Sequence, residues 1–152
     1  MIVERESARP TDKVPVGTLA GERSLRVLVG DDDVEMRRLL GDVLRKDGHA
    51  VVLAEDGVQA FRKILVDPAS PSGFNDEPVD VIVLDIRMPG CTGLEVLESL
   101  QSAGREVPVI LITAFADEQT RRTARRLGAA AFLSKPFNME LFREAVREVA
   151  KA

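Results

Sequence analysis

Asp31 and Asp32, Asp85, Thr113 and Lys135 are the residues of this chain whose types could do chemistry together, and each stands at the end of a short apolar run. A carboxylate can be a nucleophile, and toward phosphorus it forms an acyl phosphate. Three close carboxylates repel one another unless a cation sits among them. Oxygen-only ligands with no His or Cys suit a hard divalent ion, and two or three carboxylates with open water positions suit Mg²⁺. A metal beside one carboxylate, with a lysine nearby, is an arrangement for gathering phosphoryl oxygens. Lys135 would neutralise one such oxygen as a point charge, and Thr113 would donate a hydrogen bond to another. Any one of the five, taken alone, reads equally well as a capping or turn residue after a strand. The plain reading fails only if the fold brings all five to one edge.

The surrounding pattern places them there. Val81 to Leu84 is a run of four apolar residues, three of them β-branched, which reads as a strand buried on both faces with Asp85 at its carboxyl end. Arg26 to Gly30 is an earlier strand ending in Asp31, Asp32 and Asp33, and Ala50 to Ala54 is the second. Pro108 to Ile112, ending in Thr113-Ala114, and Ala129 to Leu133, followed by Lys135-Pro136, make the fourth and fifth. Helical periodicity fills the gaps. Met36, Leu39, Leu40, Val43 and Leu44 mark the first helix, and Val58, Phe61, Ile64 and Leu65 the second. Leu94, Leu97 and Leu100 mark a third helix opened by Gly93. A fourth, from about Asp117 to Leu127, has only Ala124 and Leu127 as core residues, and Leu141, Phe142, Ala145, Val146 and Val149 mark the fifth. Five βα units with short connections predict an α/β fold, a doubly wound parallel sheet with every strand end along one rim.

Composition agrees with an ordinary globular domain. The chain has 152 residues, 45% hydrophobic and 30% charged, and a net charge of −4 that argues against a nucleic-acid partner. No apolar run approaches a membrane span and no signal-peptide pattern opens the chain. The single Cys91 excludes an internal disulfide, so a reducing cytoplasm fits, and Cys91 reads as a small turn residue rather than a redox sensor. Residues 1–24 carry Pro10, Pro15, Gly17 and Gly21 without periodicity and read as a flexible tail, leaving 25–152 as the folded domain. Residues 68–78 read as a long surface loop. His49 reads as a turn residue, and Arg121, Arg122, Arg125 and Arg126 as a solvated helix face.

Four motifs in order, Val27 to Asp33, Leu84-Asp85 with Met88-Pro89-Gly90 and Gly93, Ile112-Thr113-Ala114, and Phe132 to Phe137, resemble the receiver domain of two-component response regulators, in particular the stand-alone chemotaxis type. The resemblance covers about residues 25–151. It implies the flavodoxin-like (βα)5 fold with strand order 2-1-3-4-5 and a phosphorelay switch rather than an enzyme. Asp85 would be the phosphoacceptor, fed by a sensor histidine kinase or a phosphotransfer protein. Asp32 would ligate Mg²⁺ directly, Asp31 mainly through water, and Arg87 through its backbone carbonyl. Thr113 and Lys135 would contact the phosphoryl group. Phe132 falls at the aromatic position that switches rotamer, and is expected to fill the space vacated as Thr113 is drawn in, changing the surface of helix four, strand five and helix five for an unspecified effector.

This chain departs from the family pattern at several places. Gly30 replaces an apolar strand residue, which should loosen packing before the acids. Cys91-Thr92 replaces a common Met-Asp pair. Arg87 and Phe115, two residues after Asp85 and Thr113, should flank the approach to the phosphoryl group. An aspartyl phosphohydrolase would need a second carboxylate where Arg87 stands. A nucleotide-binding module would need a glycine-rich loop where the three aspartates stand. A receiver that binds partners without phosphorylation is the remaining alternative, and the five intact positions speak against it.

Overall fold

The computed structural model describes residues 3–5, 23–64 and 78–151. The strands are β1 (Val3–Arg5), β2 (Arg26–Gly30), β3 (Ala50–Ala54), β4 (Val81–Asp85), β5 (Val109–Thr113) and β6 (Ala131–Ser134). The helices are α1 (Val34–Lys46), α2 (Gly57–Ile64), α3 (Gly93–Ser102), α4 (Glu118–Arg126) and α5 (Met139–Ala150). All strands pair in parallel in one sheet, in the order β1-β6-β5-β4-β2-β3. Counted from β2, the five strands of the βα repeat stand in the order 2-1-3-4-5, the flavodoxin-like arrangement.

The sixth strand is a correction. The expected tail, residues 1–24, contributes β1 at the free edge of β6, with Val3 opposite Ala131 and Arg5 opposite Leu133. Three residues are too few to show a period of two, so nothing in the sequence marked them. The rest of the tail up to residue 22, together with Leu65 and residues 68–77 of the expected loop, lies outside the described residues.

Alternate residues of each central strand enter two cores. Val27, Val29, Val81, Val83, Ile110 and Ile112 pack under α1 and α5, against Leu40, Leu44, Phe142 and Val146. Leu28, Ile82, Leu84 and Leu111 pack on the other face against Ala60, Val96, Leu97 and Ala124. Covered on both faces, β4 and β5 are buried throughout, which is why they read as unbroken apolar runs. The five apolar positions expected for α5 are all buried.

The first helix is turned from its expected setting. Its buried stripe is Arg37, Leu40, Gly41 and Leu44, at i, i+3, i+4 and i+7. Leu39, expected inside, is 46% exposed, and Arg37 is 7% exposed. Val58 of α2, also expected inside, is exposed. Asp33 caps α1 by accepting from the N–H groups of Glu35 and Met36. A capping box between Thr92 and Glu95 starts α3.

Candidate functional site

All five strands of the repeat end at one rim, and the polar residues expected there meet on it. Asp31 follows β2, and its N–H donates to the Ala54 carbonyl at 3.2 Å, fixing the loop to β3. Its Oδ1 accepts from the Asp33 N–H at 2.9 Å. Asp85 ends β4, and its Oδ1 accepts from the Arg87 N–H at 2.8 Å. Lys135 follows β6 and reaches across the rim, with Nζ 2.5 Å from Asp85 Oδ2 and 3.3 Å from Asp31 Oδ2. The Lys135 N–H also donates to the Thr113 carbonyl at 2.8 Å, tying the ends of β5 and β6 together. The Lys135–Pro136 peptide is cis.

Asp31, Asp85 and Thr113 are 1%, 5% and 1% exposed, whereas Asp32 faces solvent. One carboxylate oxygen from each of Asp31, Asp32 and Asp85 lies within 4.8 Å of the others. Burial pushes the Asp31 pKa above the ordinary aspartate value. The Asp33 N–H opposes the rise, the Asp85 charge adds to it, and Lys135 offsets part of it. Burial alone would lower the Lys135 pKa, but the hydrogen bond and charge of Asp85, followed by those of Asp31, outweigh it and leave the pKa raised. The amine therefore stays charged through neutral pH. Three clustered carboxylates, all oxygen donors with one open to solvent, fit a small hard cation such as Mg²⁺.

Glycines set how closely the frame approaches the acids. A Cβ on Gly93 would stand 2.6 Å from the Asp85 carbonyl oxygen, so only glycine lets α3 begin this near β4. Gly30 does not loosen the packing as expected. A Cβ there would meet Leu84 Cδ2 at 2.8 Å, with Ala60 and the Met88 sulfur at 3.7 Å, so neighbouring side chains already fill the space.

Thr113 Oγ1 accepts from the Phe115 N–H at 3.1 Å. Phe132, expected to move inward with activation, already lies in the core at 1% exposure. The Arg121 guanidinium stands 5.8 Å from its ring centroid, and Arg121 Nη2 donates to Ser134 Oγ at 3.4 Å. Arg121 is thus no part of a solvated face, unlike exposed Arg122, which pairs with Glu118. Arg87 and Phe115 meet at the mouth of the site, with the guanidinium carbon 3.9 Å from the ring centroid and Phe115 57% exposed.

Sequence reasoning missed Arg37. Its Nη1 donates to the Asp31 carbonyl at 2.7 Å, and Nη2 lies 4.0 Å from exposed Glu55, so the side chain braces the acidic loop against the end of β3. The available signal was an arginine in register with Leu40, Gly41 and Leu44. His49 has a structural role, its Nδ1 accepting from the Leu25 N–H at 3.1 Å. Burial and then Glu95 push the Cys91 thiol up, away from thiolate character.

Residues 27–147 match the family described as response regulator receiver domain. The chain is 38% identical over 117 residues to response regulator MprA of Mycobacterium ulcerans, a stretch that is 77% of this chain and 46% of that protein. It therefore spans about half the length of that relative. Sporulation initiation phosphotransferase F of Bacillus subtilis is 28% identical over 123 residues, 81% of this chain and 91% of that protein. Among solved structures, the signal receiver domain of the NarL response regulator of Mycobacterium tuberculosis superposes with a TM-score of 0.73 at 30% identity, covering 86% of this chain and 99% of that one. Chemotaxis protein CheY4 of Vibrio cholerae gives 0.71 at 27% identity, covering 84% and 99%.

Proposed function

The chain belongs to the response regulator receiver domain family of two-component systems, and we propose that it is a phosphorylation switch whose acceptor is Asp85. The observation that carries this reading is the setting of the Asp85 carboxylate. It is buried at a strand end, oriented by the Arg87 N–H, and held 2.5 Å from a lysine that stays charged at neutral pH. A free carboxylate on a mobile side chain would have to be desolvated and aligned for each transfer, whereas this one is already placed.

In the transfer, an Asp85 oxygen forms a bond to phosphorus as the bond from phosphorus to the donor imidazole nitrogen breaks. The imidazole leaves with that electron pair. Lys135 exchanges part of its contact with Asp85 for a phosphoryl oxygen, and Thr113 donates its hydroxyl proton in a hydrogen bond to another. Asp32, Asp85 and the Arg87 carbonyl would hold Mg²⁺, with Asp31 acting through water. A bound Mg²⁺ supplies the positive charge that lets phosphoryl oxygens approach three carboxylates. Arg37 keeps the Asp31 main chain in place by its 2.7 Å hydrogen bond.

The partner on the input side is a histidine kinase or a phosphotransfer protein, in the cytoplasm. On the output side the surface of α4, β6 and α5 changes for an effector. Among the described residues no helix is long and apolar enough to cross a membrane. The test of the acceptor is intact-mass measurement after incubation with Mg²⁺ and acetyl phosphate. The parent should gain one phosphoryl group and Asp85→Asn none. Labelling of the Asn variant to the parent level would overturn the assignment.

A further inference from the structure

Arg87 is rooted at the acceptor but its charge ends elsewhere. Its main-chain N–H donates to Asp85 Oδ1 at 2.8 Å, and Lys135 Nζ stands 2.5 Å from Oδ2. Both oxygens of the unmodified carboxylate therefore have a donor without the Arg87 side chain. The guanidinium lies instead on the loop after β5, its carbon 3.9 Å from the centroid of the Phe115 ring. That ring is 57% exposed, and a cation over an exposed ring is only weakly held. The charge also reaches Asp117, the N-cap of α4. Hydrogen bonds from Thr120 hold the Asp117 carboxyl below the ordinary aspartate value; partial desolvation opposes them, and the Arg87 charge adds to the lowering. Asp117 Oδ1 accepts from the Thr120 N–H at 2.7 Å, and the Asp117 carbonyl accepts from the Arg121 N–H at 3.1 Å. One side chain thus ties the loop after β4 to residues 115–117, on which the first turn of α4 is built.

We propose, resting on Asp85 as the acceptor, that the Arg87 side chain is a further ligand of the phosphoryl group, and that its transfer from Phe115 to phosphoryl oxygens releases the first turn of α4. A phosphoryl group adds three acceptor oxygens and brings a charge of about −1.5 to −2 to the place where the carboxylate carried one. Lys135 and Thr113 occupy part of these oxygens, but each oxygen accepts more than one bond, and a guanidinium offers its donors in a planar fork. Two charge-assisted N–H···O bonds outweigh one exposed contact with a ring face. The start of α4 then keeps its Asp117 cap but loses the cation beside it and the contact on Phe115. With Ala124 as its one buried residue, α4 has little else to hold it. Thr113 pulls on the same loop from its other side, since its Oγ1 accepts from the Phe115 N–H at 3.1 Å.

The test is NMR of the full chain before and after incubation with Mg²⁺ and acetyl phosphate, with intact mass counting the phosphoryl groups. Arg87 side-chain protons over the Phe115 ring should resonate upfield in the unmodified protein, and Phe115→Leu should abolish that shift. On phosphorylation the parent's Arg87 signals should move back downfield, and exchange of the Thr120 and Arg121 amides should quicken at least about threefold. Arg87→Met keeps the stem and the main-chain carbonyl and removes the charge. Its Thr120 and Arg121 amides should exchange faster by about that factor before phosphorylation, and less than about twofold faster again after it. The Leu141 amide, which donates to the Asn138 cap of α5, should not respond to the substitution. A parent that gains one phosphoryl group yet keeps its Arg87 signals upfield would overturn the proposal and leave Asp85 as the acceptor standing. So would Thr120 exchange in unmodified Arg87→Met that matches the parent, or equal acceleration at Leu141, which means general loosening. A parent that gains no phosphoryl group would overturn both readings.

Discussion

Lys135 divides its charge between two carboxylates, 2.5 Å from Asp85 and 3.3 Å from Asp31, and the division limits what each acid can offer a metal. Asp31 has one oxygen against Lys135 and the other accepting from the Asp33 N–H, and it is buried with a raised pKa. Asp32 faces solvent beside them. Asp32→Ala should therefore weaken Mg²⁺ binding more than Asp31→Ala, by about a further tenfold, or 1.4 kcal/mol. Calorimetric titration of the two variants measures this, and equal losses would mean the roles are misassigned. At the mouth, Arg87 lies over the Phe115 ring rather than over Asp85. Hydrolysis of an acyl phosphate needs water in line with the bond from phosphorus to the Asp85 oxygen; the Arg87 guanidinium lies against the Phe115 ring, and that ring is bulk with no group to orient water. Replacing Arg87 by Asn and Phe115 by Ala together should quicken loss of phosphate by about tenfold, a barrier change of about 1.4 kcal/mol. Decay of isolated phosphoprotein after donor removal tests it, and an unchanged rate would show that access does not limit hydrolysis.

Among the elements, α4 is the least anchored. Ala124 is its one buried residue, and its nine residues include four arginines. α5, by contrast, buries five apolar side chains. Opening α4 exposes little apolar surface, so its amides should exchange fastest among the helices, with changes on phosphorylation centred on α4, β6 and α5. Changes confined to α1 and α2 would refute that output surface. This weakness was legible in the sequence, as were β2 to β6; the central strands β4 and β5, covered on both faces, must be apolar throughout, and each of these two runs ends in its rim residue, Asp85 or Thr113. Other features were hidden for identifiable reasons. The setting of α1 is decided by Arg37, whose long side chain enters the core to reach a main-chain carbonyl, and no hydrophobic pattern records that attraction. Gly30 looked like a packing defect because the side chain that fills its space, Leu84, comes from another strand. Phe132 lies inward in the core, and the Arg121 guanidinium that stands over its ring comes from α4, eleven residues away in sequence and joined to it only by the fold.

At the scale of the molecule, α1 and α5 cover the same face of the sheet, and an ion pair joins them outside their shared core. Arg143 grips Asp47 with two hydrogen bonds of 2.7 Å, from Nε to Oδ2 and from Nη2 to Oδ1, and Nη1 reaches Glu140 at 2.5 Å. Asp47 is the C-cap of α1, where the helix dipole disfavours a carboxylate, so the guanidinium offsets a repulsion as well as making an attraction. Both side chains are partly covered, 29% and 23% exposed, so water screens the pair less than it would a surface bridge. Arg143→Met keeps much of the apolar stem and removes the fork. It should lower stability by about 1 kcal/mol, about 3 °C in melting temperature for a domain of this size. Arg143→Lys keeps the charge without the two-pronged geometry and should fall between Met and the parent. Urea unfolding of the three proteins at low and high salt is the measurement. The gap between Met and parent should narrow with salt, since part of it is the charge on Asp47 at the helix end. An unfolding midpoint unmoved by Arg143→Met would show that α5 is held to α1 by the shared core of Leu40, Leu44, Phe142 and Val146 alone.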